Sequence, residues 1–373
     1  MVENSMRAAH AAHSDWRVAT DACLASLGAC DGANLGFVYA SDAFALHLGD
    51  IEARLREATG VEHWVGSVGV GICAGGVEYF GEAALGVLVG RFPAHGFRVF
   101  PAIVDDLRGF EAAHGDWCER SGARFAVVHA DPHNAQLDSL IPALCARMDG
   151  GYLVGGLTSS RGAHPQLADG VTCGGLSGVL FAPDVRVATR LTQGCTPIGP
   201  RRAITRCRGN VLFELDGLAA LDVLYADIGE ALAADPARLG ARVFAGLPVK
   251  GSDTGDYLVR NLAGIDEQSR ALAVAARVEE GDRLMFCRRD AEAASEDMTR
   301  MLAEIEKAAG GAPRGGVYYT CLARGPNLFG ANSEELTRIR DALGDVPLVG
   351  FFGNGEIAHD RLYGYTGVLT LFL

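Results

Sequence analysis

One short grammar, used three times, constrains this chain more than any other feature: an apolar run broken by closely spaced glycines, then a second apolar run that returns. The fullest copy is PLVGFFGNGEI at 347–357, followed by YGYTGVLTLF. Earlier copies are VGSVGVGIC from Val65, closing in GVLVG, and VGGLTSSRG from Val154, closing in SGVLFA. In both earlier copies about 30 residues run from the start of the preceding strand to the glycine after the central valine, which implies a duplicated strand–helix–strand–strand element. A glycine loop that cradles phosphate is the first alternative. The motif lacks the GxxxxGK[ST] lysine, and a loop and strand follow it rather than a helix, so a repeated strand-end turn fits better.

The first repeat reads as strand LGFVYAS (35–41), helix 44–60 ended by Gly60, strand HWVGSVGVG and returning strand ALGVLVG (84–90). An added strand (96–106) and a helix (107–121) lead to the second repeat, with strands RFAVVHADP, YLVGGLTSSRG and CGGLSGVLFAP around one helix. The third occupies 316–372: strand VYYTC, the loop CLARGPNLFG, helix SEELTRIRDALG and the fullest glycine motif. Ser333 suits a hydroxyl N-cap for that helix, with Glu334 and Glu335 as first-turn carboxylates. Between repeats two and three, 185–217 is a β-rich bridge, 218–234 a helix, and ARVFAGLPV, DYLVRNLAGID, ALAVAARV and DRLMFCRRD four short strands of an antiparallel sheet. Residues 290–309 form a helix with an apolar stripe from Ala293, Met298, Met301, Leu302 and Ile305. Ahead of all this, Trp16, Ala19, Cys23, Leu24 and Leu27 share one helical face, with His10 and His13 in a frayed terminus. The expected fold is α/β (mixed α+β): mixed sheets from repeated units, helices on the outer faces, in two halves. The division is an N-terminal helix at 1–32, a first domain at 33–216 and a second at 217–373.

Charge narrows the partners. A net charge of -13 argues against nucleic acid, which needs clustered Lys and Arg. No apolar run approaches the roughly 18 residues of a membrane span, and MVENSMRAAHAAHSDW has no signal-peptide h-region. The 10 cysteines show no CxxC or compact Cys/His cluster, so they read as reduced, mostly buried thiols of a cytoplasmic protein.

Six motifs in this order, QGCTPIG (193–199), ELDGLAALDVL (214–224), YLVRNLAGID (257–266), FCRRDAEAA (286–294), TCLARG (320–325) and VGFFGNGEI (349–357), resemble the FIST domain proteins across roughly 33–373. The resemblance implies a FIST N-terminal-like domain followed by a FIST C-terminal-like domain, forming an intracellular module that senses a small ligand, an amino acid or related anionic metabolite. Some FIST-like proteins are haem-binding nitric oxide sensors. The sequence departs from the family at its first glycine turn, where GSVGVGIC (66–73) replaces a pattern like GCSTAGEI and lacks the early Cys and the Glu. No kinase, cyclase or methyl-acceptor segment accompanies the motifs, so a signal is expected to leave through a protein partner or a homo-oligomer.

The candidate ligand-binding residues are Cys195, Arg289, Cys321, Arg324, Gly325, Gly353, Gly355 and Glu356. Cys321, Arg324 and Gly325 follow a strand end in a Gly-rich loop, where α/β folds place ligand groups. The planar fork of Arg324 suits a carboxylate or phosphate, or it pairs with Glu356 or a backbone carbonyl to fix the loop. Glu356 follows the glycines Gly350, Gly353 and Gly355, and could hold a ligand amine or cap the turn. Cys195, near Arg201 and Arg202, is either an activated thiol or a small packing residue. Arg289 could enter a cleft, while the neighbouring Asp290 reads as a helix N-cap. His129 and His133 flank Asp131 in HADPH, a weak metal pattern; His359, His129 and His133 are the candidate haem or metal ligands.

These features favour a non-enzymatic binding module, since no triad or metal motif is assembled. No cofactor is expected on that reading. The alternatives are a haem or redox sensor using His359, His129, Cys195 or Cys321, and a Cys-dependent enzyme with Glu356 as base.

Overall fold

The computed structural model describes residues 6–229, 239, 242–249 and 257–373. The chain opens with β1 (Arg7–Ala12) and α1 (Trp16–Leu27), and the first repeat is β2 (Leu35–Ser41), α2 (Leu48–Thr59), β3 (His63–Gly69), the hairpin β4 (Gly71–Ala74) and β5 (Val77–Phe80), and β6 (Ala84–Gly90). Strand β7 (Phe97–Ile103) and α3 (Arg108–Ser121) precede the second repeat: β8 (Phe125–Ala130), α4 (Leu137–Arg147), β9 (Tyr152–Leu157), the hairpin β10 (Gln166–Ala168) and β11 (Val171–Thr172), and β12 (Leu176–Phe181). Next comes β13 (Val187–Gln193), and then β14 (Cys195–Pro197), β15 (Arg202–Arg208), β16 (Val211–Leu215), β17 (Leu218–Ala219), α5 (Ala220–Ile228), β18 (Val243–Pro248), β19 (Tyr257–Asp266), β20 (Ala271–Val274) and β21 (Arg283–Arg289). Helix α6 (Ala291–Ala309) leads into the third repeat: β22 (Gly315–Cys321), α7 (Glu334–Leu343), β23 (Leu348–Gly353), the hairpin β24 (Glu356–His359) and β25 (Arg361–Tyr363), and β26 (Thr366–Phe372). The expected helix at 218–234 runs from Ala220 to Ile228; its end, 230–234, lies outside the described residues.

Contacts divide the chain into two compact units, Met1–Thr192 with Met298–Leu373, and Gln193–Asp297. The third repeat therefore folds with the first two. Among the described residues, the strands of the second unit pair only antiparallel. Strands β21, β15, β16, β20, β19 and β18 pair in turn, and β18 pairs back onto β21, so the sheet closes on itself. Closure leaves these strands no free edge. Leu212, Leu224, Val243, Leu272 and Phe286 are among the residues that fill its core beside α5.

In the first unit each repeat builds one six-stranded sheet of the same order: β1-β6-β2-β3-β10-β11, β7-β12-β8-β9-β24-β25, and β13-β26-β22-β23-β4-β5. In each, the first two strands of the repeat run parallel and the returning strand pairs antiparallel on the other side. The hairpins are exchanged in a cycle. That of repeat one pairs with β23 of repeat three, that of repeat three with β9 of repeat two, and that of repeat two with β3 of repeat one. Each hairpin thus covers an edge that its neighbour would otherwise expose.

The glycine grammar follows from this geometry. Gly66, Gly155 and Gly350 pair in register with Val38, Val128 and Tyr318. A Cβ added there would lie 1.8, 1.8 and 1.6 Å from the carbonyl oxygens of those partners, inside the van der Waals wall. The backbones of the two parallel strands approach too closely for any side chain.

Helices cover one face of each sheet: α1 and α2 the first, α3 and α4 the second, α6 and α7 the third. Strand alternation sends Val38 and Ala40, Val128 and Ala130, and Tyr318 toward these helices. The intervening residues point to a shared interior. Tyr39, His129 and Tyr319 hold the same place in the three repeats and meet there, with Tyr39 Oη 2.6 Å from Tyr319 Oη and 3.0 Å from His129 Nε2. The ring of Phe351 contacts all three.

Two local expectations change. The segment with His10 is not frayed: Arg7–Ala12 pairs along all of Ala84–Val89, and His10 Nδ1 lies 2.5 Å from Tyr79 Oη. Near the start of α6 the buried alanine is Ala294 rather than Ala293, while Met298, Met301, Leu302 and Ile305 enter the core of the third sheet. Among the described residues no helix is long and apolar enough to cross a membrane.

Candidate functional site

A buried polar cluster forms where β22 and β23 end. Tyr318 and Thr320, two residues apart on β22, present their hydroxyls to the helix side of the sheet. Both donate to Glu335 Oε1, at 2.6 and 3.1 Å. Arg324 Nε donates to the same oxygen at 2.8 Å, and Gly325 N–H donates to Oε2 at 2.8 Å. Arg324 and Glu335 both have 0% side-chain exposure. Burial disfavours the charge on Arg324, but Glu335 and Tyr318 more than offset it and raise its pKa above the ordinary value. Breaking such a pair typically costs about 3–5 kcal/mol, because the surviving charge stays buried alone.

Arg324 uses only Nε in these bonds. Its Nη1 and Nη2 are buried with no hydrogen-bond partner, and the face of Phe329 covers the guanidinium at 4.9 Å. Gly325 holds φ +52, and a Cβ there would stand 2.5 Å from the Phe352 ring, so the turn after Arg324 requires glycine.

The hairpin of repeat one closes the other side. Glu78 Oε1 accepts the Leu336 N–H at 3.0 Å, capping α7 from outside its own repeat. The expected cap, Ser333, instead accepts the Glu78 N–H at 2.8 Å. Ser333 and Asn332 both have left-handed backbones (φ +58 and +70), a conformation costing roughly 1 kcal/mol or more per non-glycine residue. Burial raises the Glu78 carboxyl to about 7, with the Leu336 N–H pulling it down and the nearby Glu335 charge pushing it up.

Glu356 opens β24 and has 0% exposure. Its Oε2 accepts from Thr366 N at 3.1 Å and Thr366 Oγ1 at 2.7 Å, while Oε1 is buried without a partner. Burial raises its pKa to about 8, against the Thr366 bonds and the charge of Arg324. At neutral pH this carboxyl is largely protonated. Strand register makes Ile72 and Gln166 its counterparts, since they sit opposite Phe351 and Ser67 as Glu356 sits opposite Gly156. Gln166 uses both ends of its amide, donating to Gly175 O and accepting from Ser177, and Ile72 is apolar. Only the third copy leaves a polar atom unpaired at this place.

The FIST N domain profile matches residues 34–218, and the FIST C domain profile matches 220–359. This chain belongs to the FIST family. It is 31% identical over 341 residues to uncharacterized protein Rv0628c of Mycobacterium tuberculosis (strain ATCC 25618 / H37Rv), covering 87% of each chain. It is 29% identical over 270 residues to uncharacterized protein Mb0898c of Mycobacterium bovis, covering 68% of this chain and 69% of that one. FIST domains are generally associated with small-ligand sensing in signalling proteins.

The remaining candidates of this FIST protein fall into separate places. Cys321 ends β22 opposite Gly353; burial of its thiol, with the Glu356 carboxyl nearby, pushes it up to about 12, so it is a thiol rather than a thiolate. Gly353 and Gly355 serve the hairpin exchange, the Gly355 carbonyl accepting the Leu157 N–H at 2.9 Å. Cys195 and Arg289 lie in the second compact unit, paired with each other across β14 and β21. Arg202, beside Cys195 in sequence, spends its guanidinium on Asp227 and Asp216. Asp290 caps α6 as expected, accepting the Glu292 and Ala293 N–H groups. His359 pairs with Asp360 at 3.0 Å near the Tyr152 ring. The motif HADPH does not act as one group: His129 points to the interior with its pKa lowered to about 3 by burial, and His133 is exposed beside Asp131.

Arg324 pairs with Glu335, and the expected partner Glu356 is reached only through its field. Glu335 and Glu78 are the residues that sequence reading missed. The signal for Glu335 was the pair Tyr318 and Thr320, hydroxyls on the strand face that α7 covers. Glu78 had none, because it arrives through a hairpin exchanged between repeats.

Proposed function

We propose that this protein is a cytoplasmic small-ligand sensor whose ligand is an amino acid or a related anionic metabolite. One observation carries the reading: the buried Nη1 and Nη2 of Arg324, two charged donors with no partner. A buried polar group left unpaired costs about 1–3 kcal/mol and more when charged, so a ligand carboxylate has a ready-made fork to complete. The free Oε1 of Glu356 supports an amine or hydroxyl on the same ligand. Access requires the segment 326–333, which carries Phe329, to move away from Arg324. The strained pair Asn332 and Ser333 is where such movement would relieve stress. A segment that moves with binding gives a protein partner or a second copy of the chain something to read.

Arg324→Ala is a poor test, since it leaves Glu335 buried without its cation. Arg324→Lys keeps the charge beside Glu335 and removes the fork. Native mass spectrometry of the purified protein identifies what co-purifies, and an absorption spectrum of the same sample tests the haem alternative. A panel of amino acids is then scanned for thermal stabilisation, expected at about 2.7 kcal/mol at a hundredfold excess over the dissociation constant. A ligand that stabilises Arg324→Lys as much as wild type sinks the assignment.

A further inference from the structure

A second cluster lies at the corresponding end of repeat two, where β8 and β9 stop. Asp131, His133 and His164 each offer one ligand atom, and these atoms all lie within 4.8 Å of one another. Two loops supply them. Asp131 and His133 follow β8, and His164 stands in the connection between β9 and β10. We propose that Asp131, His133 and His164 form a binding site for a divalent first-row transition-metal ion.

The donor set is chemically specific. Two imidazoles and a carboxylate suit Zn²⁺ and its first-row neighbours, and are poor company for the all-oxygen shells of Mg²⁺ and Ca²⁺. Spacing agrees. Atoms bound at about 2.1 Å to one ion lie about 3.0–3.4 Å apart for adjacent ligands, and Asp131 Oδ1 stands 3.0 Å from His133 Nδ1. The imidazoles of His133 and His164 are 4.7 Å apart between ring centres and nearly perpendicular. His133 is 74% exposed, so its ring is free to swing through the remaining distance.

The other two ligands are held in place. Thr158 Oγ1 bonds His164 Nδ1 at 2.8 Å, which fixes the ring and leaves Nε2 as its ligand atom. Outer partners of this kind set imidazole orientation in metal sites. Asp131 is 13% exposed, its backbone N–H bonded to Gly175 O and its Oδ1 oriented by the His133 N–H. Thr158 N–H bonds Ala130 O, tying the second loop to the end of β8. Both loops therefore hang from the same strand end. Three protein ligands with one exposed side leave coordination positions open to water or to an anion, the arrangement of a reactive or ligand-binding ion rather than a closed structural one.

The test uses the tag-free full chain, stripped with a chelator and titrated with Zn²⁺ by calorimetry and with Co²⁺ by visible absorption. The expected result is one saturable site with the Co²⁺ bands of nitrogen and oxygen ligation. His164→Ala and Asp131→Asn should each weaken binding at least tenfold, and Thr158→Val about tenfold, with circular dichroism confirming the fold of each. His95→Ala is the control: His95 sits 3.1 Å from Asp184 on the surface and should leave the titration unchanged. Absence of saturable binding by wild type below about 100 μM overturns the proposal. So does a folded His164→Ala that binds as tightly as wild type.

Discussion

Glu356→Gln should remove a pH-dependent loss of stability. The carboxyl is buried at 0% exposure and its pKa stands at about 8, raised from 4.5 chiefly by burial. Between those values the folded protein keeps the proton and the unfolded chain releases it. The stability this group lends is thus fully present below about pH 4.5 and is lost as pH rises through 8. At about 1.4 kcal/mol per unit, the full difference of about 3.5 units sets a ceiling of about 5 kcal/mol; local relaxation and water access bring the expectation to roughly 2–4 kcal/mol. Glutamine matches the neutral acid: its oxygen still accepts from Thr366 N and Oγ1. The variant should match wild type near pH 5 and exceed it by pH 9. The assay is urea unfolding at several pH values by tryptophan fluorescence. Trp16, Trp64 and Trp117 are the chain's 3 tryptophans, and all lie in the compact unit that carries Glu356. Glu78, raised to about 7, titrates in both proteins, so only the difference between the curves is informative. Curves that stay parallel from pH 5 to 9 would refute the reasoning.

Two further outcomes test the fold. Gly350→Ala drives a Cβ to within 1.6 Å of Tyr318 O and should abolish cooperative folding in a thermal melt, whereas Gly109→Ala on the open face of α3 should be neutral or stabilising by up to about 1 kcal/mol. Tyr39→Phe removes the hydroxyl that joins Tyr319 to His129 and leaves His129, whose Nδ1 is already unpartnered, without either bond; a loss of about 1–3 kcal/mol by denaturant unfolding is expected.

The repeated strand–helix–strand–strand unit was legible because its cause is local. Apolar runs fix the strands, Gly60 with its left-handed backbone ends α2, and Gly66, Gly155 and Gly350 are required wherever two parallel backbones close to less than a side chain. The exchange of hairpins was not legible. Each hairpin is short and could pair with its own repeat or the next, and nothing in GICA or EIAH says which edge it covers. The same limit hid the closed sheet of the second unit: four short strands announce antiparallel pairing, but the β18–β21 bond that closes the ring joins segments far apart in sequence. At the start of the chain, RAAHAA looks too polar and small for a strand, and it is one only because β6 presents an edge to it.

Candidate site residues were legible as residue types in a strand-end loop, but not as roles. Arg324 followed by a glycine marks a cation that must fold back, and it does; what it folds onto is decided by the sheet face beneath α7. That face holds Tyr318, Thr320 and Glu335, so a carboxylate that the sequence marks only as a first-turn residue of α7 is the buried anchor of the cluster. Anchoring through Nε alone is the informative detail. An arginine serving only the fold would be expected to spend both ends of its fork on Glu335, since a bidentate pair is stronger and leaves fewer buried donors bare. Here Gly325 N–H takes Glu335 Oε2, the position a second guanidinium bond would need. Glu335 thus takes one bond from the guanidinium and one from the backbone, and Nη1 and Nη2 are left outside the pair. A carboxylate set against Nη1 and Nη2 would complete their bonding without displacing any bond that Glu335 makes, and the proposed anion site rests on that feature.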